Sequence, residues 1–200
     1  MKPERGLAVL GVCLVVAACS PLQSRANEVQ QPVQRIIAKG FSFVPPSEAG
    51  WKTSRVDESW IRVGKFGEGP DETLFLDARL VRLPRYSSSE EFRRIVGEGA
   101  VTYTNQARFK AIRSDVSLDS SRNALCVRSY GIVEDHAAQR KSGMTGVMII
   151  ELAALNCAYP GTPAIGVSFV YSHRYGPGGA DPHFLDRANE LFRSMEFSAL

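Results

Sequence analysis

The chain has 200 residues, 44% of them hydrophobic, with 24 Lys+Arg against 21 Asp+Glu. Removing Lys2, Arg5 and Glu4, which lie in the first 18 residues, leaves 22 basic against 20 acidic residues (24 − 2 and 21 − 1). That balance, with both signs interspersed, excludes the concentrated basic face of a nucleic-acid binder and leaves about 160 residues for one domain with a real core.

The first predicted element is an export signal over residues 1–18. Lys2 and Arg5 form a short basic segment, diluted by Glu4, and residues 7–18 are an unbroken apolar run. Its 12 residues suit a signal-peptide core and fall short of the roughly 20 that span a bilayer as a helix. The run ends in Val16-Ala17-Ala18-Cys19. An aliphatic residue, two small residues and a cysteine in this position resemble the lipobox of bacterial lipoproteins. The resemblance implies cleavage before Cys19 and acylation of its thiol, which anchors the chain to a membrane. Several acyl chains hold a protein stably where one does not. Ser20, in place of Asp, resembles the outer-membrane sorting pattern, so the expected address is the outer membrane with the domain facing the periplasm. The alternative is an ordinary signal peptide with an Ala-x-Ala-like site that happens to contain a cysteine.

Residues 19–39 read as a flexible tether, polar, Gln-rich and broken by Pro21 and Pro32; part of residues 33–38 is left free to dock on the fold. The domain, residues 40–200, opens on Gly40-Phe-Ser-Phe-Val-Pro-Pro, a short alternating strand stopped by prolines. Residues 58–66 and 74–83 alternate apolar with polar around Gly67-Glu-Gly-Pro-Asp71, which predicts a hairpin. The period then changes. Ser87-Ser-Ser-Glu-Glu91 carries a capping-box signature, and Phe92, Ile95, Val96, Gly99, Ala100 and Tyr103 recur at helical spacing, predicting a helix from Ser88 to about Gln106.

Four strands follow, over 109–118, 124–133, 146–159 and 164–175. The last is rich in β-branched and aromatic residues. Cys126 and Cys157 lie in the second and third of these. A hairpin folded about Lys141 and Ser142 brings them face to face, and an oxidising compartment favours a disulfide. Buried free thiols are the alternative; a metal site is disfavoured because no histidine clusters with the pair. A final helix is predicted with Asp181 as its cap and Pro182 in its first turn. Phe184, Leu185, Ala188, Leu191, Phe192 and Met195 form its apolar face, and residues 196–198 close the domain as a strand or by packing.

This order of elements predicts an α+β fold, an antiparallel sheet with helices packed on it. Gly40-Phe-Ser-Phe-Val-Pro followed by Gly50-Trp51, the helix opening Ser-Ser-Glu-Glu-Phe and the ending Ala188-Asn-Glu-Leu-Phe-Arg-Ser-Met-Glu-Phe197 resemble the PsbP-like family. The resemblance implies an α/β/α sandwich and a non-enzymatic accessory or binding module, and it transfers no functional residue.

Candidate chemistry is sparse. His173, Asp181 and His183 are placed to gather around the Gly176-Pro-Gly-Gly loop as an acid/base or metal cluster; isolated histidines near turns are the commoner arrangement. The Gly-rich loop lacks the Lys and Ser/Thr of a phosphate loop, and no Gly-x-Ser-x-Gly elbow occurs. Trp51, Trp60, Tyr171 and Tyr175 are candidates for an aromatic patch or for the core, and Arg79, Arg82, Arg85, Arg93 and Arg94 for an acid-binding or simply solvated face. The favoured function is a lipid-anchored, non-catalytic interaction or assembly module with a protein partner in the envelope, without a cofactor. The alternatives are a carrier of a small apolar ligand in a cleft between helix and sheet, and a hydrolase built on His173, Asp181 and His183.

Overall fold

A computed structural model describes residues 27–29, 33–101, 107–138, 140 and 142–200. The signal, Cys19, most of the tether, the last residues of the expected first helix and Lys141 lie outside the described residues. In chain order come β1 (Asn27–Glu28), β2 (Ile36–Ala38), β3 (Phe41–Phe43), β4 (Lys52–Asp57), β5 (Trp60–Phe66), β6 (Thr73–Arg82) and α1 (Ser89–Val101). Then follow β7 (Phe109–Asp119), β8 (Cys126–Asp135), β9 (Met148–Tyr159), β10 (Thr162–Tyr175), α2 (Phe184–Ser194) and β11 (Glu196–Phe197).

Eight strands form one antiparallel sheet in the order β1-β4-β5-β6-β10-β9-β8-β7, and β11-β3-β2 form a second, small sheet. Strand alternation decides the faces. In β10, Val167, Phe169, Tyr171, His173 and Tyr175 are all buried. Opposite them, in register, stand Leu76 and Ala78 of β6 and Ala153, Leu155 and Cys157 of β9, also buried. The small sheet and α2 close over this face: the Phe169 ring lies 5.0 Å from Phe43 and 5.7 Å from Phe192.

The expected α+β sandwich, with helices layered on both sides as α/β/α, is not the fold that forms. Strands hold 49% of the described residues and helices 14%, in two short helices, so the architecture is β-rich. The reason is geometric. Strands lie about 4.8 Å apart and a helix is about 10 Å wide, so one helix covers roughly two strands. A sheet of eight strands therefore needs several helices for a complete layer, and α1 lies mainly against β7 and β8. The added width comes from strands that the pattern did not announce, β1 and β4. The fold also begins ahead of Gly40: Ile36–Ala38 pair with β3 and Ala38 is buried, so part of the expected tether is a strand. Gly40, at φ +82°, makes the reversal between β2 and β3, and a Cβ there would strike Leu80 at 2.9 Å.

The helix ends follow local chemistry. At α1 the Glu91 N–H donates to Ser88 Oγ (3.1 Å) while the Glu91 carboxylate accepts from the Ser87 N–H (2.7 Å), a capping box offset by one residue. At α2 the expected cap is corrected. Asp181 lies before a turn, accepts from the His183 N–H at 2.9 Å, and the helix starts at Phe184 without a side-chain cap. Phe184, Ala188, Leu191 and Phe192 bury as its apolar spacing requires, but Leu185 is 44% exposed. No helix among the described residues is long and apolar enough to cross a membrane.

Cys126 and Cys157 face each other across β8 and β9 and form a disulfide, with Cα atoms 4.0 Å apart. Two residues beyond Cys126 in the ladder, α2 is pinned to the sheet by charge. Arg128 bonds Asn189 of α2 and donates to Asp119 at 2.7 Å. Burial pushes the Asp119 carboxyl up, but hydrogen bonds from Ser121 and Arg128 outweigh it and hold the group down at about 2. A depressed folded-state pKa contributes stability in full above the unfolded value near 4 and loses it as pH falls through 2. Urea midpoints should therefore fall between pH 4 and 2 in the wild type. That fall should be smaller in Asp119→Asn.

Candidate functional site, a polar cleft over His173 and Glu72

β10 carries His173 on the core side of the sheet because Phe169, Tyr171 and His173 alternate in phase, and the residue is 1% exposed. It lies 4.6 Å from the Tyr175 ring and stacks against Phe184 at 6.5 Å. A buried imidazole needs a polar partner. It finds one in Glu72, at the end of the hairpin loop before β6, with Nε2 donating to Oε1 at 2.6 Å. The other carboxylate oxygen accepts from the Gly69 N–H at 2.7 Å, so one side chain ties the β5–β6 loop to β10. Gly67 is required beneath it, since a Cβ there would overlap the Glu72 side chain at 2.1 Å. Burial raises the Glu72 carboxyl, but the Gly69 and His173 hydrogen bonds and the imidazole's charge hold it below the usual carboxylate range. An ionised carboxylate accepts only, so the ring nitrogen is the donor.

Above this pair opens a cleft of about 470 Å³, lined by Lys65, Phe66, Gly67, Glu68, Glu72, Leu74, His173, Gly179, Ala180, Asp181, Arg187 and Ala49. That volume falls in the range of small-molecule sites. Its rim is charged with both signs. Lys65 Nζ lies 5.3 Å from the Trp51 ring centroid, a cation–π contact. Arg187 bridges Glu48 (3.2 Å) and Asp181 (3.3 Å), fixing the first turn of α2 against the loop after β3. The surroundings are polar enough to hold a small charged or zwitterionic group, and among the described residues no Ser, Thr, Cys or Tyr lines the cleft to act as a nucleophile. His173 Nδ1 is sealed from solvent without a partner among the described residues, and Nε2 is committed to Glu72.

Of the three residues expected to cluster, His173 and Asp181 border this cleft and His183 does not. His183 is exposed and lies 3.6 Å from Asp186 on its own helix. Among the described residues no group of three His, Cys, Asp or Glu is placed to hold a metal ion. Glu72, Lys65 and Arg187 escaped the sequence reading. Glu72 is 101 positions from His173 and no local pattern links them. The alternation of β10 was the available signal that His173 faces inward.

The other candidates resolve differently. Trp51, Tyr171 and Tyr175 are buried, so the aromatic patch is core. Only Trp60 reaches the surface of the opposite face, flanked by Arg62 and Arg79 at 5.2 and 5.6 Å from its ring. Arg93 and Arg94 are paired with Glu90 and Glu98 along α1, a solvated face. Hollows beside α2 hold only about 150 and 100 Å³, below the usual range for a small ligand.

Glu72→Ala should destabilise the fold by about 1–3 kcal/mol, because it leaves the Gly69 N–H and the buried imidazole without an acceptor. Glu72→Gln keeps an acceptor and should cost less. Denaturant titration of both variants gives the comparison. No protein-family model matches this chain, and no curated protein matches it.

Proposed function

We propose that this chain is an exported lipoprotein, acylated at Cys19 and held at the outer membrane facing the periplasm. Its domain is a non-catalytic binding and assembly module for an envelope partner, which it engages through the cleft over His173 and Glu72. The observation that carries the address is the buried Cys126–Cys157 disulfide: such bonds form and persist in oxidising compartments, where a cleaved export signal would deliver the chain.

Two features of the cleft favour binding over catalysis. A general base must reach the proton it abstracts; Nε2 of His173 is held by Glu72 and Nδ1 is sealed away from solvent. Among the described residues none that lines the cleft carries a hydroxyl or thiol. Its charged rim speaks against the apolar-ligand reading and suits a polar group of a partner, with Lys65 and Asp181 as opposed contacts.

Cross-linking in intact cells followed by fractionation tests this. The wild type should sediment with membranes and yield one cross-linked envelope protein. Cys19→Ala should move to the soluble fraction. A Lys65→Ala, Asp181→Ala double variant should stay with membranes and lose the partner. Retention of the partner by that double variant removes the cleft from the reading.

A further inference from the structure

The long outer strand β7 ends the eight-stranded sheet: β8 pairs with one side of it, and no strand among the described residues pairs with the other. It is 11 residues long, and Lys110 to Asp115 are exposed without interruption, Ile112 at 55%. α1 rests on one face of the strand, where Gly97 approaches Val116, and leaves this stretch open. Natural sheets blunt such edges, because free backbone groups and exposed apolar side chains recruit another strand. β7 carries a single bulge, between Ala111 and Arg113.

The residues around Ser114 complement themselves. Arg113-Ser114-Asp115 read in one direction places, against the same segment reversed, Arg113 opposite Asp115 and Asp115 opposite Arg113, with the bulged Ile112 just outside the paired segment. Opposite charges facing each other across antiparallel strands stabilise the pair, and like charges destabilise it. That favours Ser114 over its two neighbours as the centre: centring the pairing on Arg113 or on Asp115 instead sets like charges directly against each other. The two side chains are already on one face of the strand, with Arg113 Nε 2.5 Å from Asp115 Oδ2. They are 58% and 55% exposed, and an exposed pair of that kind is worth little to the monomer.

We propose that two copies of this chain associate through β7, antiparallel, with the two-fold axis at Ser114, so that the large sheets become continuous. The bulge limits the paired segment, so the association is weak in dilute solution. Membrane anchoring, if it holds, raises the local concentration that drives it. The proposal stands without the cleft.

Cysteine cross-linking of the full-length protein in its native membranes tests it. Ser114→Cys places two thiols at the axis and should give a dimer on a non-reducing gel after mild oxidation. Lys110→Cys, equally exposed on the same strand but far from its own copy in this register, should not. Adding Arg113→Asp to Ser114→Cys puts Asp against Asp and should cut the dimer about tenfold. Adding Asp115→Arg to that variant as well should restore it. Equal dimer from Ser114→Cys and Lys110→Cys would overturn the pairing. A dimer unchanged by Arg113→Asp would overturn the register.

Discussion

Removing the disulfide should lower the stability of the domain by about 3–4 kcal/mol, the chain-entropy value for a closed loop of this length. The bond joins Cys126 to Cys157 across 31 positions, and both residues are 1% exposed in the core between the large sheet and α2. The pair sits where the β8–β9 ladder begins, so without it the unfolded chain gains the freedom of the whole hairpin. For a domain of this size the loss corresponds to roughly 10 °C in melting temperature. Thermal unfolding of Cys126→Ala with Cys157→Ala should show it, and a reductant should lower the wild type by a similar amount while leaving the variant unchanged. A melting temperature insensitive to both treatments contradicts the assignment.

Phe169→Ala should be the most costly single core substitution, at about 3–5 kcal/mol. Phe169 is fully buried at the middle of the central strand β10, and its ring touches Phe43 of the small sheet and Phe192 of α2. Those contacts join β10 to the two elements that cover the inner face, so truncation opens a cavity that neither can close alone. Phe66→Ala is the control: that ring is 71% exposed, and its loss should change stability by no more than about 0.5 kcal/mol. Equal effects from the two variants would place the core elsewhere.

The long strands were legible because burial on one face imposes alternation. Residues 58–66 and 74–83 announced β5 and β6, and the strand-rich run from 109 to 175 announced β7 to β10. The cysteine register followed from the same pattern and is the one formed, Cys126 opposite Cys157. β4 was not legible. Lys-Thr-Ser-Arg-Val-Asp has a single large apolar residue, and Val56 is 69% exposed, so this strand exists through its pairing with β5 and carries little core. β2 is only three residues long and gains its place from β3. With those strands missing, the sheet read as narrower than it is and two helices read as layers.

The site shows the same division. His173 and Asp181 were singled out by type and position, and both border the cleft. Their partners were out of reach because a contact such as His173 to Glu72 depends on the register between β10 and β6 and on the fold of the loop after β5. Sequence separation hides that geometry. His183, close in sequence, turned outward because it stands at the exposed start of α2.

The proposed function requires export and acylation at one thiol, Cys19. Mass spectrometry of the N-terminal peptide from native protein extracted from membranes examines that directly. The account predicts a peptide beginning at Cys19 and heavier by its acyl groups. A chain that still begins at Met1, or one cleaved at another position and carrying no fatty acid, contradicts it.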